Sequence, residues 1–292
     1  STGKFNTDLA KALRENNAEV TVICSHPFYP SWKTKNSNET LEGIKIIRGK
    51  NPFGYPNNFF IKRALLELWF GFFAVKKFRQ LQTETDLIIP VFPPGLAFYF
   101  LLPLLKNKTR KVAIVHDLQE VYIENRSHFF HKMIRSVIHK IEKTNFNCCD
   151  KLIFLSNEMK ETAKSFYGLE EEKLVVQYPF VNIDLSSQTN DLDEILPQGT
   201  NHIVYSGALG EKQNPVKLYS FFDFSSKKMP KAEFHFFSEG KLFDQLRKNN
   251  SNQRIKFHHL VEDRNILELY GRSTVQIIPQ KEGTSKGSLP SK

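Results

Sequence analysis

The sequence predicts an α/β protein made of two doubly wound parallel sheets, one following the other along the chain. Three observations predict it. Short buried apolar runs alternate with helix-length amphipathic stretches, the pattern of βαβ units. A polar, acidic stretch from Pro179 to Thr200 then interrupts the alternation and reads as an interdomain connection. Beyond it the alternation restarts with His202–Gln213, HIVYSGALGEKQ, a buried strand running into a glycine-containing turn. The expected domains are therefore 1–182 and 201–292, with 183–200 as linker. Ligand sites prefer interfaces between domains, so a cleft between the two is the expected place for one.

A chain of 292 residues gives each domain enough length to bury its own core. Hydrophobic content of 40% and charged content of 25% exclude a disordered chain. The 26 phenylalanines make the cores aromatic. A net charge of +10, from 41 basic and 31 acidic residues, favours anionic partners such as nucleotide phosphates, a lipid surface or nucleic acid. No RRM, KH or zinc-finger signature is present, so nucleic acid is not the expected partner. Cys24, Cys148 and Cys149 have neither a pairing pattern nor a metal spacing, which suggests a reducing, cytoplasmic compartment. No His/Asp/Cys ligand set stands out, and no metal is expected.

In order, Phe5 to Arg14 has helical spacing and stops at Asn16-Asn17. Ser1 or Thr2 is positioned to cap it, with Gly3 allowing close approach of an anion at its N-terminus; a plain capped helix is the alternative. Val20–Cys24 is a short strand, and a strand before Ser1 is expected from this order. The chain also stops at Leu289–Lys292 without a terminal element, so both ends read as cut. His26–Trp32 is an aromatic, proline-fixed loop, either sugar-contacting or a packed connection. Gly43–Arg48 is an edge strand.

Asn58–Phe78 is the most apolar helix, with an uninterrupted core from Leu68 to Val75 that is too short to span a bilayer. Lys62, Arg63, Lys76, Lys77 and Arg79 flank that core. The helix either lies in a membrane interface or buries against the sheet. Leu87–Leu105 carries no charge, yet Pro90, Pro93, Pro94, Gly95 and Pro103 break it into a strand and a helix. Lys111–Val115 is a strand ending in His116-Asp117-Leu118-Gln119-Glu120, a titratable cluster where an α/β site would sit. Ser127–Thr144 is a basic helix, Lys151–Leu155 a strand, Glu158–Phe166 a helix and Lys173–Gln177 a strand.

In the second half, strands at 202–206, 233–237, 254–258 and 274–279 alternate with helices near 215–227, 241–249 and 262–271. A loop, Gln280–Ser288, follows. Gly207 and Gly210 permit positive φ and close ligand approach, and Lys212 just past the turn is placed to meet a phosphate.

Taken together, these residues resemble the GT-B glycosyltransferases of family 4, and within them the group that assembles colanic-acid-type exopolysaccharides. SGALGEKQ (206–213), LPSK (289–292), TGKFNTDLAKAL (2–13), SHPFYPSW (25–32), VHDL (115–118), LSNEM (155–159) and YPFVNID (178–184) carry the resemblance, in family order. It implies the GT-B fold, two Rossmann-like domains facing a cleft, with the C-terminal one incomplete here. It implies a retaining enzyme moving a sugar from a nucleotide-diphosphate donor to a lipid- or glycan-linked acceptor, peripheral on the inner membrane face. No cofactor is implied.

By the same resemblance, Lys212 neutralises the diphosphate, and Gly207 and Gly3 face the phosphates. His116, beside Asp117, contacts the transferred sugar. Glu239, in Ser238-Glu239-Gly240, lies near the nucleotide. Glu282 matches the first of two family glutamates, and Ser285 and Ser288 in the same loop complete the candidate donor contacts. Ala208 and Leu209 stand where the broader family carries an arginine. A nucleotide-sugar epimerase on the same architecture is the alternative function, and a basic nucleic-acid or anionic-lipid module a third.

Overall fold

The computed structural model describes residues 2–27, 34, 36, 40–54, 56, 59–81, 84–119, 129–179, 189–210 and 213–279. The chain divides into two units, one within Ser1–Pro179 and one within Phe180–Thr284.

The first unit opens with α1 (Thr2–Glu15), β1 (Val20–Ser25) and β2 (Ile44–Gly49), the two strands pairing in parallel. Helix α2 (Phe59–Leu81) follows. The strand expected at the start of Leu87–Leu105 is split into β3 (Leu87–Ile88) and β4 (Val91–Phe92), because Pro90 has no N–H to give the ladder. The Pro90 carbonyl still accepts from Ile114, which holds the two pieces on one neighbour. That neighbour is β5 (Arg110–Val115), reached through α3 (Gly95–Leu101). Then come α4 (Phe129–Asn147), β6 (Lys151–Phe154), α5 (Asn157–Tyr167) and β7 (Leu174–Val176). Strand β5 is central, with β3 and β4 on one side, β6 and then β7 on the other, all parallel.

Helix α5 has local reasons for both ends. The Ser156 hydroxyl accepts from the Met159 N–H at 3.2 Å, and Gly168 closes the helix at φ +67°. Phe92, Val115, Leu118, Phe146, Phe154, Met159 and Tyr167 form the core beneath.

Helix α2 is neither fully sunk nor fully free. Leu66 and Ala74 are buried, and a Cβ on Gly71 would lie 2.8 Å from Phe100 Cδ2, so glycine is what lets α3 approach. A second face stays in solvent: Ile61, Leu65, Leu68 and Phe72 are exposed, Phe72 at 66%. Among the described residues no helix is long and apolar enough to cross a membrane.

The second unit comprises β8 (Asn201–Ser206), α6 (Pro215–Lys228), β9 (Ala232–Phe237), α7 (Lys241–Asn249), β10 (Ile255–His258), α8 (Ile266–Arg272) and β11 (Val275–Gln276). The strands run β10-β9-β8-β11, all parallel. Alternation gives the sheet two unlike faces. Ile203, Tyr205, Phe234, Phe236 and Ile255 pack on Leu218, Phe222 and Phe243. The opposite face puts Val204 and Phe237 against Leu192, Leu196 and Leu269, and also carries His202, His235 and His258.

One boundary differs from the expected one. The described end of the expected linker, residues 189–200, is part of the second unit. Leu192 and Leu196 are buried there, Glu268 accepts from Thr189 Oγ1 and the Leu192 N–H, and Arg272 pairs with Asp193. Two leucines four apart supply the anchoring that the surrounding acidic residues concealed.

Candidate functional site

In the second unit the chain order reverses beside β8. Strands β9 and β10 build outward on one side, and the chain then crosses back to place β11 on the other. Open α/β sheets bind ligands outside the carboxyl ends of strands at such a switch point. The residue that leaves β8 there is Gly207, at φ +128°, a backbone conformation that favours glycine. Its N–H donates to the Phe237 carbonyl at 2.9 Å.

The rest of the turn is fixed by short local bonds. The Tyr205 hydroxyl donates to the Ala208 carbonyl at 2.8 Å, and the Gly210 N–H donates to Gln213 Oε1 at 3.0 Å. Leu209 is buried as a plug. Helix α6 then starts with Pro215 in its first turn, and the Asn214 side chain accepts from the Lys217 N–H. Strand, glycine turn and helix N-terminus in this order make an anion-binding arrangement.

Because Ser206 pairs with Phe237, the ends of β8 and β9 emerge side by side. This brings Ser238-Glu239-Gly240 next to the Gly207 turn. Glu239 is exposed, Gly240 sits at φ +107° before α7, and the buried Ser238 hydroxyl has no hydrogen-bond partner among the described residues.

In the first unit, β5 delivers His116. Its backbone N–H donates to the Phe92 carbonyl at 2.9 Å, and its ring meets Phe5 of α1 edge-on. Gly3, exposed, lies two residues before Phe5 in the first turn of the same helix. Burial pushes the His116 pKa down and neighbouring Asp117 pushes it back up, burial being the larger cause. The imidazole is thus neutral near pH 7. Its Nε2 is buried with no hydrogen-bond partner among the described residues.

The segment after His116 is held by a pair of buried carboxylates that the sequence did not single out. Leu118 is fully buried. The Gln119 N–H donates to Glu142 Oε1 and its side-chain amide donates to Glu67 Oε1, both at 3.0 Å. Glu67 Oε2 also accepts from the Leu96 N–H at the start of α3, and Tyr167 donates its hydroxyl to Glu142 Oε2. The available signal was a glutamate inside the apolar run of α2, where an uncompensated carboxylate would be costly.

Of the expected site residues, His116 and Asp117 follow β5 in the first unit, with Gly3 on the helix whose Phe5 meets His116, and Gly207 and Glu239 follow the paired strands β8 and β9 in the second. Lys212, Glu282, Ser285 and Ser288 lie outside the described residues, as do residues 28–32 of the aromatic loop.

A family model described as Glycosyltransferase Family 4 matches residues 2–185, more than half of the chain. The chain belongs to glycosyltransferase family 4. As a member it is a glycosyltransferase. Among similar solved structures, sucrose-phosphate synthase from Thermosynechococcus elongatus has a TM-score of 0.69 and 14% identity, covering 96% of this chain and 70% of that one. An α,α-trehalose-phosphate synthase (UDP-forming) from Burkholderia vietnamiensis has a TM-score of 0.63 and 10% identity, over 91% of this chain and 78% of that one. A structure described as trehalose-6-phosphate from E. coli bound with UDP-2-fluoro glucose gives 0.65 and 9%, over 94% and 75%. At these identities the likeness establishes the fold, and that fold is GT-B. No curated protein sequence matches this family 4 chain.

Proposed function

We propose that this family 4 glycosyltransferase is a retaining enzyme that moves a sugar from a nucleotide-diphosphate donor to a lipid- or glycan-linked acceptor in cell-surface polysaccharide assembly. The observation that carries the proposal is the Gly207 turn at the β8/β11 switch point, leading into the N-terminus of α6. Two of the similar structures are described with UDP, one as UDP-forming and one as bound to UDP-2-fluoro glucose. A diphosphate at the turn would take the Gly207 side of the backbone, the positive end of α6 and the Lys212 ammonium. The same ammonium and helix N-terminus would stabilise the departing diphosphate, so the step needs no metal or cofactor.

His116, neutral and with Nε2 unpartnered, would contact the transferred sugar, with Asp117 beside it. The donor phosphate would take the acceptor proton as the new glycosidic bond forms on the face the diphosphate leaves. Glu239, Glu282, Ser285 and Ser288 would complete the donor contacts, with Gly3 on the phosphate side.

The exposed stripe Ile61, Leu65, Leu68 and Phe72, with Lys62, Arg63, Lys76 and Lys77 along the same helix, supports docking to an anionic membrane surface. That reading puts the enzyme on the cytoplasmic face of the membrane, where a lipid-linked acceptor would be.

Calorimetric titration of the full-length protein with GDP, UDP and a random oligonucleotide at physiological salt tests the proposal. Selective micromolar binding of one nucleoside diphosphate is expected, and Lys212→Ala should remove most transfer. Oligonucleotide binding without diphosphate binding, or full activity in Lys212→Ala, would overturn it.

A further inference from the structure

Beside Val204 and Phe237, one face of the second unit's sheet holds a row of imidazoles that the transfer reaction does not use. His202 of β8 and His235 of β9 are both almost completely buried. His202 Nδ1 lies 3.0 Å from His235 Nε2, and His235 Nδ1 lies 3.1 Å from His258 Nε2 on β10. Glu233, one turn of the pleat before His235, points Oε2 at the first pair, 3.9 Å from His202 Nδ1 and 3.6 Å from His235 Nε2. That oxygen is buried and has no hydrogen-bond partner among the described residues.

We propose that His202 Nδ1, His235 Nε2 and Glu233 Oε2 form a binding site for a divalent transition-metal ion of the zinc type. The three atoms lie within 4.8 Å of one another. Ligand atoms around a tetrahedral zinc, with bonds of about 2.0–2.1 Å, stand roughly 3.3 Å apart. The separations of 3.0, 3.6 and 3.9 Å bracket that value, so side-chain shifts of a few tenths of an ångström would complete the triangle.

The surroundings are those of ligands held for a metal. His202 Nε2 is 3.0 Å from the Pro197 carbonyl, which only accepts, so Nε2 carries the proton and Nδ1 presents a lone pair. His235 can donate from Nδ1 to His258 Nε2, which frees its own Nε2. Glu233 Oε1 is held by Lys256 Nζ at 2.7 Å, leaving Oε2 as the free oxygen. Each ligand thus has a partner fixing its orientation, as metal-binding side chains usually do. Two imidazoles and one carboxylate suit zinc and its neighbours better than calcium or magnesium.

Of the three ligands only Glu233 reaches solvent, with its side chain 30% exposed against 1% for His202 and none for His235. His202 precedes Gly207 by five residues along β8, or about 16 Å at ~3.3 Å per residue. The ion would therefore cross-link β8 and β9 away from the Gly207 turn, stabilising the second unit without entering the transfer step.

The experiment uses the full-length protein stripped with EDTA and titrated with Zn²⁺ and Co²⁺. One equivalent of Zn²⁺ should bind and raise the melting temperature in a concentration-dependent way. Glu233→Gln, which keeps the shape, should weaken Zn²⁺ binding at least tenfold while leaving nucleoside diphosphate binding unchanged. Long-range ¹H–¹⁵N spectra of the wild-type imidazoles give a readout independent of any variant's folding. Zn²⁺ should shift His202 Nδ1 and His235 Nε2 and move the His235 proton to Nδ1. Absence of a stoichiometric metal, undiminished binding by a folded Glu233→Gln, or shifts confined to other histidines would overturn the proposal.

Discussion

Phe5 stands edge-on to His116, their ring centroids 5.6 Å apart and their planes at 88°. A helix at the start of the chain thereby orients an imidazole at the end of β5. The contact limits rotation of a ring whose Nε2 has no other partner among the described residues. Phe5→Ala should lower kcat about tenfold with nucleoside diphosphate affinity unchanged, as loss of orientation predicts. His116→Ala should cost on the order of a hundredfold or more, the scale of losing one positioned polar group. Steady-state kinetics beside calorimetry separates the two effects.

The His116 pKa lies below its ordinary value because burial disfavours the cation. The unfolded chain then binds the proton at higher pH than the folded one does. Stability from this group is complete above about pH 6.5 and falls as pH drops from there through the depressed folded value. Urea unfolding from pH 7.5 down to 5 should show a shallower loss in His116→Gln than in the wild type.

Gln119 spans two buried carboxylates. Gln119→Ala removes a donor from Glu67 and should cost about 1–3 kcal/mol, the range for stranding a buried polar group. Glu142→Ala strips acceptors from both Gln119 and Tyr167 and should cost at least as much. Denaturant unfolding with an unchanged slope checks both values.

Adjacent thiols should behave oppositely. Cys148 is exposed, whereas Cys149 is buried and its pKa is pushed up to about 12, chiefly by burial. In the native state a thiol reagent should modify Cys148 quickly and leave Cys149 untouched until denaturant is added. Peptide mapping distinguishes them.

Gly207→Ala places a Cβ on a backbone held at φ +128° and should destabilise the second unit by about 1–3 kcal/mol. It should also weaken nucleoside diphosphate binding more than a substitution at the exposed Glu239 does.

Much of the architecture was legible because short buried runs alternate with helix-length amphipathic stretches. The strand and helix alternation was read directly, while single residues set limits that it left open: Pro90 splits what read as one strand, Ser156 and Gly168 bound α5, and Asn214-Pro215 start α6. Gly207 and His116 stand out in the sequence as candidates because each directly follows a buried strand, and the structure places both at the strand ends expected of them. What stayed hidden depends on distance along the chain. Glu67, Gln119 and Glu142 come from three separate elements, and none carries a motif. His202, Glu233 and His235 sit on neighbouring strands and meet only through sheet register. Leu192 and Leu196 were outweighed by the acidic residues around them.

The imidazole row has a further consequence for folding. Strand β9 points Phe234 and Phe236 toward one core and Glu233, His235 and Phe237 toward the opposite face, so a slip of two residues against β8 or β10 would keep Phe234 and Phe236 on their own side. Hydrophobicity alone penalises such a slip weakly. It would, however, part His202 from His235 and His235 from His258, stranding buried ring nitrogens at about 1–3 kcal/mol each. The histidines thus act as alignment marks, telling three strands which of several equally greasy pairings is the native one.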